Sequence, residues 1–161
     1  MRAEGAMRSA RSALMRRAIE LSVANVRSGK GGPFGAVVAR EGRIIAEGVN
    51  RVTSTLDPTA HAEMIAVREA CRALGRVHLT GCEIYASCEP CPMCLGAIYW
   101  ARLDRVFFAG SRADAARAGF GDARIYDELA LPAGSRAIPI QQLLRGEALA
   151  AFREWKRRPD R

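Results

Sequence analysis

Apolar and polar positions along this chain change their period several times, and each change marks an element. From 7 to 26, Leu14, Ala18, Leu21 and Val23 stand among arginines and small residues at helical spacing, which predicts an amphipathic helix ending before Gly29. Gly31-Gly32-Pro33 then turns the chain. Residues 34–40 and 44–49 are short apolar runs separated by Glu41-Gly42, the pattern of a β-hairpin. Asp57-Pro58-Thr59 offers a capping oxygen and an early proline to a helix over 60–74, with Gly75 just past its end.

Residues 82–87 predict a third strand, and Pro92 falls in the first turn of a helix reaching about Ala101. A fourth strand follows over 106–110. The stretch from 111 to 127, rich in Ala, Asp and Gly, predicts a short helix and a loop that reaches back over the site. Residues 137–140 predict a fifth strand, and 149–158 a terminal helix with Phe152 and Trp155 on one side. Strands alternating with helices give an α/β layer fold, a sheet flanked by helices. At 161 residues, with no internal repeat or low-complexity linker, the chain is expected to form a single domain over 1–161.

Composition narrows the classes. With 49% hydrophobic and 26% charged residues, global disorder is excluded. The net charge of +8 comes from 25 basic and 17 acidic side chains, with the excess concentrated near the two ends. Solvated helix faces account for it without a nucleic-acid partner. No stretch reaches the length of a membrane span, and the N-terminal arginines precede no apolar run of the secretory kind. Five cysteines are an odd number for a disulfide framework, and two form a Cys-x-x-Cys pair, so a reducing cytoplasm is expected. Cys71, Cys82 and Cys88 then read as small buried residues.

The chemistry lies in His61-Ala62-Glu63 and Pro90-Cys91-Pro92-Met93-Cys94. Each motif begins a predicted helix, and positions three apart share a helix face, so Cys91 and Cys94 can meet one ion. His61, Cys91 and Cys94 make a three-ligand zinc set that leaves the fourth position to water, whereas structural zinc takes four protein ligands. His78 as a fourth ligand has no matching partner motif. Glu63 is too close to His61 in sequence to ligate beside it and is placed to move protons to and from the water. That combination points to hydrolysis at a carbon of a nitrogenous ring with loss of ammonia. A redox dithiol would explain Cys-x-x-Cys but not His-x-Glu.

On these motifs the chain resembles the cytidine deaminase-like zinc superfamily, in its purine-acting branch. Asn50-Arg51-Val52-Thr53, the run from Asp57 to Glu63, the run from Cys88 to Ala101, and Asp114-Ala115-Ala116 leading to Asp122 are similar to the bacterial guanine deaminase family. The resemblance implies a three-layer α/β/α fold with a five-stranded mixed sheet, one zinc per subunit, and a homodimer that exchanges its C-terminal segment. It further implies guanine as a small-molecule substrate, converted to xanthine and ammonia. By position, Asn50 would bind the purine edge, Phe34 and Trp100 would wall its rings, and Asp122 would contact the 2-amino side and help protons reach the leaving group.

Simpler roles stand beside these. Phe34 also reads as core, Trp100 as interface packing, Asp122 beside Gly121 as a loop cap, and Asn50 as the holder of a turn. The nearest rival activity is deamination of tRNA adenosine, which shares both zinc motifs and a basic surface. Tyr99-Trp100 favours the guanine branch, because an indole would crowd a flipped nucleotide. Guanosine or another small aminated ring is a further alternative, and a zinc-stabilised binding domain without turnover is the non-enzyme one, against which Glu63 argues. The chain departs from the guanine branch where it ends Arg157-Arg158-Pro159-Asp160-Arg161 instead of in an aromatic lid, and at Gly121, where an acidic residue is expected.

Overall fold

Four strands form one mixed sheet in the order β2-β1-β3-β4, where β1 is Gly35–Arg40, β2 Arg43–Val49, β3 Cys82–Cys88 and β4 Arg105–Gly110. β1 runs antiparallel to β2 and β3, while β3 and β4 run parallel. The computed structural model describes the backbone of residues 2–159 and the side chains of 5 and 7–159. Asp160 and Arg161, part of the basic end noted above, lie outside the described residues.

Alternation along β1 separates two cores, because successive side chains of a strand face opposite ways. Val37 and Ala39 pack with Tyr85 against Leu14 and Ala18 of the first helix, α1 (Arg2–Ser28). Ala36 and Val38 pack with Ile84 on the opposite face against Ala62, Ala66 and Ala70 of α3 (Ala62–Leu74) and Ile98 of α4 (Pro92–Trp100). Helices on both faces of the sheet make the three-layer α/β/α arrangement. The Glu41-Gly42 hairpin closes as predicted, with φ of 51° and 76° at its two residues, the primed-turn geometry that suits strand twist.

One close approach sets the position of α3. A Cβ on Gly48 of β2 would lie 2.1 Å from the carbonyl oxygen of Ala62, so the start of the helix sits directly on the strand. The helix begins at Ala62 rather than at 60. Asp57 instead closes a turn, its Oδ1 accepting from the backbone N–H of Thr59 at 2.8 Å and from its hydroxyl at 2.7 Å. A single short turn of helix, α2 (Val52–Thr55), precedes it and had no periodic signal to announce it.

The described residues divide into two compact units, one reaching to Asp122 and one beginning at Ala123. The first ends with α5 (Arg112–Arg117), whose start carries a reciprocal cap between Ser111 and Asp114. The second holds α6 (Ala123–Ala130), a 3-10 turn at Ala133–Ser135 and α7 (Arg145–Arg157). It contains no strand, so the expected fifth strand at 137–140 is corrected. The backbone N–H of Ala137 donates to the Glu128 carboxylate at 2.8 Å, and Pro139 has no N–H to give, so the segment lacks the ladder a strand requires. No helix among the described residues is long and apolar enough to cross a membrane.

Candidate active site

Two helix starts meet at the carboxyl ends of the parallel pair β3 and β4, where open α/β sheets place their sites. His61 is the cap of α3 and Cys91 the cap of α4, both with extended backbone (φ −69°, ψ 156° and φ −67°, ψ 168°). Neither side chain bonds its own helix, which leaves both free to face each other. Pro92 suits the first position of α4, where its missing N–H is not needed. The turn into α4 is tied down at Glu89, whose N–H donates to Gly110 at 2.8 Å and whose carboxylate accepts from the Arg112 N–H at 3.0 Å.

His61 Nδ1 lies 3.5 Å from both Cys91 Sγ and Cys94 Sγ, and the three ligand atoms lie within 4.8 Å of one another. A tetrahedral ion with Zn–S of about 2.3 Å and Zn–N of about 2.0–2.1 Å puts sulfur and nitrogen about 3.5 Å apart. The donor set and its spacing therefore fit zinc. Hydrogen bonding from Cys94 holds Cys91 down to about 4 against the opposing effect of burial, while the same bond pushes Cys94 upward. His61 is raised, chiefly by its contact with Cys91. His78, the other histidine, lies apart from this cluster.

Glu63, in the first turn of α3, is a buried carboxylate facing the same centre. Burial raises its pKa, with the Cys91 charge acting the same way, so it holds a proton more readily than a carboxylate in water. That is the property a proton carrier needs near neutral pH.

Asn50 follows β2 and is buried. Its Oδ1 accepts from the backbone N–H groups of Gly32 and Val52, each at 3.3 Å, and its backbone oxygen accepts from Asn25 Nδ2 at 2.8 Å. The turn-holding role is thus real, but it occupies the side-chain oxygen and leaves the amide nitrogen without a partner among the described residues. Phe34 packs against the α3-side core and meets Phe120 edge-on at 5.1 Å between ring centres.

Asp122 is half-buried and comes to the same end of β3 as Glu63. The thiol of Cys88 is pushed upward first by burial and then by the charges of Glu63, Glu89 and Asp122. Trp100 stands at the other end of α4 from the three ligand residues within the chain. It lies at the far end of α4, about 13.5 Å along the axis from Cys91 at 1.5 Å per residue, and it is 86% exposed. There it lines an open groove with His78, Gly96, Tyr99 and Arg102. A helix that brings its start to a site carries its end away from it.

The clamp of Asn25 and the meeting of Phe120 with Phe34 escaped the reading of the sequence, and Cys88, read as a small buried residue, is half-buried. Asn25 had a signal, because it continues the apolar stripe of α1 through Leu14, Ala18 and Leu21 as a polar residue on a buried face. Phe120 had none, since the loop that brings it to Phe34 has no period.

Residues 8–110 match the family model of the cytidine and deoxycytidylate deaminase zinc-binding region. The chain is 54% identical over 142 residues to the guanine deaminase of Bacillus subtilis strain 168, covering 88% of this chain and 91% of that protein. The crystal structure of guanine deaminase from Bacillus subtilis superposes with a TM-score of 0.90 at 51% identity, covering 93% of this chain and 96% of that one. Similarity to the tRNA-specific adenosine deaminase of Aquifex aeolicus strain VF5 is 48% over 77 residues, 48% of this chain and 51% of that protein.

Proposed function

The chain belongs to the zinc-binding family of cytidine and deoxycytidylate deaminases, and from that premise we propose that it hydrolyses guanine to xanthine and ammonia. The observation that carries the reading is the triad of His61, Cys91 and Cys94 at zinc spacing with the buried Glu63 beside it. The sequence likeness to guanine deaminase covers 88% of the chain, whereas that to the tRNA-specific enzyme of Aquifex aeolicus covers 48%. A small purine base is therefore the substrate class.

His61, Cys91 and Cys94 would hold the ion; bound there, zinc lowers the pKa of a water in its open fourth position to about 7. Glu63 takes a proton from the attacking water and delivers it to the ring nitrogen beside C2. Once the C2–O bond has formed, the carboxylate takes the second proton from the hydroxyl now on C2 and passes it to the amino group as the C2–N bond breaks, so that water and guanine become xanthine and ammonia. Asn50 holds the purine edge, Phe34 offers a ring to stack on, and Asp122 accepts from the 2-amino side and assists proton transfer to it.

The protein works as a cytoplasmic homodimer that exchanges its second unit. Two features support this: α6 and α7 contain no buried residue, and Tyr99 and Trp100 stand 77% and 86% exposed as an aromatic pair. The test is ammonia release by the zinc-loaded protein with guanine, guanosine, adenine, cytosine and a tRNA anticodon loop side by side. Release from guanine alone is expected; release from the RNA would overturn the assignment and turn the basic ends into a binding surface.

A further inference from the structure

We infer that Asn25, Gly31 and Gly32 form a cradle that fixes Asn50 as a donor-only reader, and that Asn25 is thereby a positioning residue for discrimination at the 6-position of the purine. The inference rests on the reading of Asn50 as a base-binding residue.

The cradle is built at close quarters. Asn25 is buried and its Nδ2 donates to the carbonyls of both Gly32 and Asn50 at 2.8 Å. This clamp draws together two strands of chain on either side of Phe34. A Cβ on Gly31 would lie 2.0 Å from the Asn50 carbonyl oxygen, so no other residue fits there without moving the clamp. Held this way, the N–H of Gly32 reaches Asn50 Oδ1, and the N–H of Val52 occupies the same oxygen from the other side.

An asparagine amide ordinarily offers an acceptor and two donors. Here the acceptor is spent on backbone, and the amide nitrogen is the part left for a ligand. A free asparagine pairs well with adenine, accepting from the 6-amino group and donating to N7. A donor-only asparagine instead meets O6 and N7 of a 6-oxopurine, both acceptors, and sets donor against donor with a 6-aminopurine. The cradle thus selects the oxo edge before chemistry begins at C2.

The test compares binding of hypoxanthine and adenine by calorimetry to the zinc-loaded protein. The two differ at position 6, and neither carries the 2-amino group. The wild type is expected to favour hypoxanthine by about 30-fold, within the range of a good base-edge contact. Asn25→Ala should shrink the ratio to below about fivefold with zinc still bound, and Asn25→Ser carries the same comparison if the alanine variant does not fold. In an Asn50→Ala background, either Asn25 change should alter the ratio by less than about twofold, the non-additivity expected when one residue acts through the other. An unchanged ratio in both Asn25 variants, alongside a lost ratio in Asn50→Ala, would overturn the inference alone. An unchanged ratio in Asn50→Ala would overturn the reading of Asn50 itself. Equal losses from Asn25 changes in both backgrounds would reduce Asn25 to a structural role.

Discussion

The metal end of the first unit and the whole of the second unit are built by opposite means. At the metal end, His61 and Cys91 cap helices pressed onto a sheet, and Cys94, Ala62 and Ala66 beside them are fully buried. In the second unit, Ile125, Leu129, Phe152 and Trp155 lie on amphipathic helices that bury nothing of their own. Rigid placement of a ligand set requires neighbours that cannot move, and the first unit supplies them. The apolar faces of the second are of use only against another surface. The comparison teaches that a packed ligand set and an unpartnered apolar surface are built in different segments of one short chain.

The sharpest break in that division would come from chemistry. Glu63→Gln is expected to keep one zinc per chain, by metal analysis, while turnover falls about 10³–10⁴-fold, because a general acid–base has been removed from an intact site. Undiminished turnover would take Glu63 out of the mechanism. Gly48→Ala should act through packing, since its Cβ has no room above Ala62. We expect a loss of about 2–3 kcal/mol in a denaturant titration, together with weaker zinc retention as the start of α3 shifts.

Asp122→Asn should leave folding and zinc content alone and lower kcat/KM for guanine by about 30-fold. Full activity would return Asp122 to the loop-cap role. On the other side of the comparison, replacing Phe152 and Trp155 together by serine should weaken self-association by at least about tenfold in sedimentation, with zinc binding unchanged. Loss of zinc in that variant would show that the two segments are not separable.

The smallest effect is electrostatic. Arg17 of α1 grips Glu47 of β2 through two bonds of 2.7 and 2.9 Å, and that contact, chiefly its hydrogen bonding, holds the Glu47 carboxyl below its ordinary value. Both side chains are about a third exposed or more, so Arg17→Ala should cost only about 0.5 kcal/mol at neutral pH. The sign follows from the lowered value. The contribution is complete above the unfolded carboxylate range near pH 4 and fades as pH falls through the folded value. Wild type and variant should therefore converge in acid, as unfolding at pH 7 and pH 3 would show.

Much of this architecture could be read along the chain because it is periodic or punctuated. Four strands, the long first helix and the two helices of the site follow from alternation, helical spacing, Pro92 and Gly75. The zinc ligands and Glu63 were legible because a helix start fixes which residues share its face. The fifth strand was misjudged because a short apolar run carries no information about its partner, and Ala137 gave its N–H to a carboxylate instead. The surroundings of Trp100 were not legible, because a motif that places the start of a helix says nothing about where its end points.

The sequence alone determined the ligand types, their spacing and the reaction class, since these depend on side-chain chemistry and on the geometry of single elements. Only the tertiary structure decided that the Nδ1 of His61 stands equally far from two sulfurs, that Asn50 turns its oxygen to the backbone and its nitrogen outward, and that Phe120 meets Phe34. Those facts join residues from different elements. No local rule fixes the distance between them, and packing does.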